Sequence, residues 1–497
     1  MTVTLTADEV AKLKGSDPNK RYMVVYNGSD ETIYPALIGY DTNNKILTDI
    51  DSVNLPSGFK LDPKTYKVLT FPKYVISGRI IARTGCTMVP GLYGNQDGLL
   101  CDTGDCHQSY DGTNTPSPNN TYASSQKGLL CNIIGGASPT TILEFSFTNA
   151  PGTDSRGQPT VANTDYYDVS QVDGNNLSAQ MEPIINQTPT ARGDPNYWCK
   201  KAGCTATLKT CPDELKVYRE SDKKLIACQS IGSAMSGITT TIKPDRTPGV
   251  PGMYPGGHYN NNVGILKDVD PNSFKKLTDM YLTNYYWDQS ATNKGGDSRP
   301  WTKTGAWTPD TDGSKCPLSC TGSGDSKQCS VPSTCITAQT LSSCAGAAGN
   351  KCGDPAAKPS VPPTFNSSDQ GCSPNVTTYN TPDYAPHLCW SENWPGQGPE
   401  YHKVFKDMCP NAYSWQFDDF SSTFTCDSSG PAPVHYFVQF YSYDGTPETL
   451  DLSTSKTSSF VLEDGAPFHS PHTSLFKKSI IAILVLFILI LVLKLAL

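Results

Sequence analysis

The sequence predicts a mainly β protein, and three observations carry that expectation. Glycine (41) and proline (39) make up about 16% of the 497 residues and charged residues only 17%, far from the Ala, Leu, Glu and Lys usage of helical bundles and coiled coils. From Tyr22 onward, short β-branched and aromatic runs alternate with Gly, Pro, Asn and Asp, as strands alternate with turns. Helical periodicity is confined to PNSFKKLTDMYLTNYY (271–286) and EYHKVFKDMC (400–409).

Taken in order, residues 1–20 are polar and are expected as an N-terminal arm. YMVVY (22–26), ETIYPALIGY (31–40), YKVLTF (66–71) and KYVISGRIIAR (73–83) read as strands, each an apolar or alternating run bounded by turn residues. The same texture returns in LEFSF (143–147), DYYDVSQV (165–172), GITTTIK (237–243) and VHYFVQFYSY (434–443). Residues 310–399 are rich in Gly, Ser, Pro and Cys, with eight cysteines between Cys316 and Cys389. Such a stretch buries too little apolar area to order itself, so disulfides are expected to hold it. The organisation expected is an arm (1–20), one elaborated domain (21–445) with an enlarged Cys-rich loop region (229–400), a polar Ser/Thr-rich stalk (446–478) and an apolar anchor (479–497).

The anchor is read from Ile480–Leu497, IIAILVLFILILVLKLAL, apolar except for Lys494. As a helix it would rise about 27 Å, close to one hydrocarbon core. The first 22 residues contain no apolar stretch of signal-peptide length, so the expectation is a tail-anchored, single-pass membrane protein whose partner is the lipid bilayer. The 18 cysteines are even in number and form no C-x-x-C, which disfavours zinc ribbons and thioredoxin-type sites and favours bridges. The 39 Lys+Arg against 47 Asp+Glu give a net charge of −8, unsuited to binding nucleic acid through its phosphates. There is no H-E-x-x-H, G-x-S-x-G, P-loop or G-x-G-x-x-G, and the seven histidines are scattered, so neither cofactor nor metal is expected.

Four segments resemble the thaumatin-like family. SGRIIARTGC (77–86) followed by CDTGDC (101–106) is similar to its R-x-W-x-R-T-x-C and C-x-T-G-D-C. TTILEFSF (140–147) and DYYDVSQVDGNNL (165–177) are similar to LAEF and DFYDISLVDGFN, and WCKKAGCTATLKTCPDELKV (198–217) to C-x4-C-x-A-x5-C-P-x-E-L. VFKDMCPNAYSWQFDDFSSTFTC (404–426) is nearly identical to F-K-x-x-C-P-x-A-Y-S-Y-x-x-D-D-x-T-S-T-F-T-C. The resemblance implies a thaumatin-like antiparallel β-sandwich with disulfide-rich loop insertions, to which the C-terminal transmembrane helix would be added. It implies the bridges Cys86–Cys101, Cys106–Cys131, Cys199–Cys426, Cys204–Cys409 and Cys211–Cys228, and leaves the pairing of the eight cysteines from Cys316 to Cys389 open. A further family bridge is absent at both ends, near Gly28–Ser29 and within VHYFVQFYS.

The resemblance also implies an acidic cleft lined by Arg79, Glu144, Asp168, Asp173 and one of Asp418 and Asp419. A glycosidase needs two carboxyls across the scissile bond, and the family pattern would make Glu144 the acid and Asp168 or Asp173 the base. The competing reading is an ion-pair network or a binding cleft for β-1,3-glucan or another glycan, without turnover. The combination of bridges with a tail anchor resembles virion membrane proteins of large cytoplasmic DNA viruses. On that reading the chain is a capsid-associated structural or binding component that contacts glycan, capsid or envelope partners. The alternative is a β-1,3-glucan-binding or weakly hydrolytic, endo-β-1,3-glucanase-like protein of the cell surface.

Overall fold

Alternating side chains build the strands, and the computed structural model arranges ten of them in two five-stranded sheets that bury one face of each against the other. It describes residues 2–452 except 16, 48, 52, 55–57, 90–97, 106–137, 154–158, 186–194, 243–261, 289–305, 318, 322–327, 331, 333–334, 338–400, 415–421 and 431. The first half of the chain forms β1 (Thr2–Thr4), α1 (Ala7–Lys14), β2 (Lys20–Gly28), β3 (Ile33–Tyr40), β4 (Thr65–Pro72), β5 (Val75–Thr84), β6 (Ile142–Phe147), β7 (Thr164–Ser170), β8 (Ser178–Ile184) and β9 (Ala202–Cys204). Four helices follow, α2 (Ile231–Ile242), α3 (Asn262–Val269), α4 (Pro271–Leu282) and α5 (Tyr401–Met408), and then β10 (Phe424–Asp427), β11 (His435–Tyr441) and β12 (Thr449–Asp451).

The first sheet runs β10-β7-β6-β5-β3 and is antiparallel throughout, while the second runs β9-β8-β11-β2-β4 with β2 and β11 parallel. Met23, Val25, Leu69, Phe71, Val438 and Phe440 from the second sheet meet Ile80, Leu143, Phe145, Phe147, Tyr167 and Val169 from the first, all buried. Gly28 lies opposite Tyr441 in the β2–β11 register, so the two segments that lack the family bridge are neighbours held by strand pairing alone.

One charged pair crosses this core. Arg21 shares the inward phase of Met23 and Val25, and Asp165 that of Tyr167 and Val169, which leaves both side chains at most 1% exposed. Arg21 Nη1 and Nη2 donate to Asp165 Oδ2 and Oδ1 at 2.6 and 2.7 Å. Val434 O accepts from Arg21 at 2.9 Å, the Ser428 and Tyr436 hydroxyls donate to Asp165 at 2.6 and 2.8 Å, and the guanidinium lies 4.2 Å from the Phe147 ring centre. Burial pushes the Asp165 carboxyl above its ordinary range, and Arg21 with the two hydroxyls pulls against it. His435 sits beside the pair, with its Nδ1 accepting from Tyr22 N at 3.3 Å. Burial, with the Arg21 charge adding to it, lowers its pKa from the ordinary 6.5 to about 4.

A second core lies beside the sandwich, where Leu215, Ile231, Met235, Leu266, Leu277 and Phe405 pack the helices around the Cys211–Cys228 bridge. The structure also bonds Cys86 to Cys101, Cys199 to Cys426, Cys204 to Cys409 and Cys316 to Cys335. Cys320 and Cys329 are opposite in the register of a short hairpin. The expected Cys106–Cys131 bridge, and Cys344, Cys352, Cys372 and Cys389, lie outside the described residues.

Three expectations differ from what is found. Residues 1–20 are no free arm: β1 pairs in parallel with β12, and α1 docks on the outer face of the second sheet. A Thr6/Glu9 capping box starts α1, and Val10 and Leu13, spaced by three, are buried there, a contribution of about 1.5–3 kcal/mol each. The polar composition hides this because two apolar side chains suffice for so short a helix. GITTTIK, expected as a strand, falls largely in α2, where Ile231, Ala234 and Met235 recur at helical spacing against the second core and override the β-branched propensity. The stalk cannot begin at 446, since Glu448 is buried and β12 follows it. Ile480–Leu497 lies outside the described residues, and among those described no helix is long and apolar enough to cross a membrane.

His435 makes the sandwich sensitive to acid. The unfolded chain takes up a proton between pH 6.5 and about 4 that the folded chain refuses, so this contribution is whole above pH 6.5 and lost as pH falls toward 4. Urea unfolding at pH 7 and pH 4 is expected to show the native chain losing about 3 kcal/mol more than His435→Asn over that interval. Equal losses would remove His435 from the account.

Candidate functional site

The outer face of the first sheet carries the charged residues. On β6 the core takes Leu143, Phe145 and Phe147, which turns Glu144 and Ser146 outward; on β7 it takes Tyr167 and Val169, which turns Tyr166 and Asp168 outward. On β5, Gly78 leaves space for the Phe145 ring, since a Cβ there would lie 2.3 Å from it, and Arg79 follows on the outer side. Strand order then does what sequence spacing does not. Arg79 is the register partner of Glu144, and Glu144 of Asp168, so three residues far apart in the chain form one row across adjacent strands.

Within the row, Arg79 Nε donates to Glu144 Oε1 at 2.7 Å, and the two side chains are 39% and 31% exposed. Asp168 is half-buried, with Oδ1 shielded from water. Directly opposed residues hold their Cβ atoms about 4.5–5.5 Å apart, so Glu144 and Asp168 present two carboxylates side by side. Asp173 is not in the row. Its carbonyl accepts from Thr140 N at 3.2 Å and Ser138 Oγ at 2.6 Å, which sets it beside a point four residues before Glu144, about 13 Å away along the strand. Asp418 and Asp419 lie outside the described residues. Beside Asp168 on β7, Tyr413 N donates to Val169 O at 2.8 Å, Gln171 N donates to Tyr413 O at 2.8 Å, and Phe424 pairs with Tyr167.

The open part of this face is bounded. Ile38, Ile81, Ile142, Ser170 and Thr425 around it are all 4% exposed or less. Open to water on this face are Arg79, Glu144 and Asp168, with Ser146 and Tyr166 one step along the strands and Ser77 beside Ser146, its N donating to Ser146 Oγ at 3.0 Å. Ser146 and Tyr166 were not among the residues expected at the site, although their phase relative to Glu144 and Asp168 places them there. Among the described residues no group of carboxylates, cysteines or histidines could hold a metal.

As a chemical object the row can accept hydroxyl hydrogens at its carboxylates and donate from its guanidinium. Glu144 faces Arg79 and water.

Fold and site together define a disulfide-braced, two-sheet β protein with a charged row on one open face. Residues 27–127 and 121–240 match the model of the Thaumatin family. Pathogenesis-related protein 5 of Arabidopsis thaliana is 34% identical over 174 residues, which cover 35% of this chain and 52% of that protein. A Thaumatin-like protein of the same plant is 32% identical over 180 residues, covering 36% and 55%. A Glucan endo-1,3-beta-glucosidase of Prunus avium is 33% identical over 156 residues, covering 31% and 45%. The chain spans about half the length of these curated relatives, and the matches support the thaumatin-like family. Among solved structures, a laminaripentaose-producing β-1,3-glucanase in complex with laminaritetraose aligns with 86% of this chain and 100% of its own at 13% identity and a TM-score of 0.34, a likeness too distant to bear on the site.

The exposed pair on the first sheet and the buried pair between the sheets are expected to differ in their contribution to stability. Arg79→Gln removes an exposed pair and should change unfolding stability by less than about 1 kcal/mol. Asp165→Asn strands a buried guanidinium and should cost about 3–5 kcal/mol. Thermal or urea unfolding of the two variants checks this, and comparable losses would mean that the row is structural.

Proposed function

We propose that this chain is a thaumatin-like binding protein that holds a β-1,3-glucan or a related glycan on the open window of its first sheet without turning it over. The Arg79–Glu144–Asp168 row carries the reading: adjacent carboxylates with a guanidinium beside them match the vicinal hydroxyls of a sugar ring. The name of the Prunus avium relative supports glucan as the glycan class. Hydrolysis would assign Glu144 the acid and Asp168 the base; the binding reading asks only that the pair and Arg79 form hydrogen bonds with the sugar.

We further propose that Ile480–Leu497 anchors the domain to a bilayer. The apolar run and the polar segment before it support that placement. A virion membrane, with capsid or envelope proteins as neighbours, is the setting proposed from the same layout.

Retention on insoluble β-1,3-glucan tests the first proposal. The native chain should be retained, Asp168→Asn should weaken retention about tenfold or more, and no reducing ends should appear from laminarin. Reducing ends that vanish in Glu144→Gln would establish a hydrolase instead. Flotation with phospholipid vesicles tests the second: the full chain should rise with the vesicles and a chain ending at residue 478 should not. A full chain that stays below would refute the anchor.

A further inference from the structure

We infer that the Ser146 hydroxyl is a ligand-binding group of this window, held by a β-bulge at Ser77 so that it donates to an ether oxygen of the glycan, bridging or ring. The inference rests on the glycan-binding reading above and adds a donor that the two carboxylates cannot supply. Val75 and Ile80 on β5 both enter the core although they are five residues apart, which strict alternation forbids. The register locates the extra residue. Phe145 and Phe147 on β6 pair with Gly78 and Val75, and Ile38 and Tyr40 on β3 pair with Arg79 and Ile76. Ser77 is the residue common to both irregularities, exposed and in the left-handed region at φ 51°. With it inserted, Val75 on one side points into the core and Arg79 on the other points outward, opposite Glu144.

The bulge also places the Ser77 N–H against the Ser146 side chain. It donates to Ser146 Oγ at 3.0 Å, and among the described residues that hydroxyl has no other hydrogen bond. A hydroxyl that accepts from a backbone N–H still has its own hydrogen to give. Ser146 faces outward and is half-buried, two residues and about 7 Å along β6 from Glu144. The chemistry divides accordingly. Ionised Glu144 and Asp168 only accept, so they take sugar hydroxyls, whereas the ring and bridging oxygens of a glycan carry no hydrogen and need a donor. Ser146 supplies one at a fixed step from the carboxylates, oriented before any ligand arrives.

The full chain and laminarin oligosaccharides provide the test. Ser146→Ala is expected to weaken retention on β-1,3-glucan about fivefold, whereas Ser77→Gly, which keeps the N–H and the left-handed backbone, should stay within about twofold. Oligosaccharides carrying sulfur in place of the bridging or the ring oxygen identify the contact. The native chain should bind one of the two about fivefold more weakly than the oxygen parent, and Ser146→Ala should bind that one and the parent alike. If Ser146→Ala weakens parent and sulfur-substituted ligands equally, the hydroxyl is structural and the inference is refuted. If Ser77→Gly weakens binding as much as Ser146→Ala, the contact belongs to the Ser77 side chain and the assignment is refuted. If Asp168→Asn weakens retention while Ser146→Ala leaves it intact, the donor is refuted and the glycan-binding reading stands. A native chain that binds no β-1,3-glucan overturns both.

Discussion

The Arg21–Asp165 pair is the constraint around which the sandwich is organised. It is the point where a charge from each sheet enters the shared core, and a buried charge is tolerable only when its partner and its hydrogen bonds are all in place. That requirement reaches five separate pieces of chain: β2 supplies Arg21, β7 supplies Asp165, the residues around Ser428 and Val434 cap both, Tyr436 on β11 donates the last hydroxyl, and Phe147 on β6 lies under the guanidinium. Sliding one sheet over the other by a single residue would break the contacts that cross between them at once: Arg21 with Asp165, Tyr436 with Asp165 and Phe147 with Arg21. Hydrophobic packing drives the two faces together, and the pair selects the one register in which they meet.

The same sheet uses charge in two ways, and strand phase separates them. Asp165 and Asp168 are three residues apart on β7 and so face opposite sides: one is sealed in the core and satisfied, the other looks out beside Glu144. The inward charge holds the scaffold. The outward row, partly open to water, adds little to stability.

How much of this was legible follows from how local each signal is. The strands announce themselves by alternation and by the segments that resemble the thaumatin-like family. Arg21 looks like an exposed charge at the start of YMVVY until its phase with Met23 and Val25 is considered. Arg79, Glu144 and Asp168 could be named from the resemblance, but their juxtaposition depends on the order β7-β6-β5, a non-local fact that spacing does not encode. Asp173 is placed with them by the resemblance alone, and it lies past the end of the strand, where the chain turns. The helix α1 was missed because propensity and mean polarity outweighed two apolar residues, and α2 because β-branched residues were weighed without knowing the core they meet.

The parallel pairing of Thr2–Thr4 with Thr449–Asp451 also defines a load path. Leu450 and Leu452 pack on the outer side of the second sheet, whereas the charged window lies on the outer side of the first. Tension between an object gripped at the window and whatever holds the C-terminal segment therefore travels through the full thickness of the sandwich. It would meet the short parallel clasp first, loading its hydrogen bonds in shear, then the parallel β2–β11 pair, and then the guanidinium–carboxylate bridge between the sheets. The strand Thr2–Thr4 is thus a mechanical fastener for the strand Thr449–Asp451.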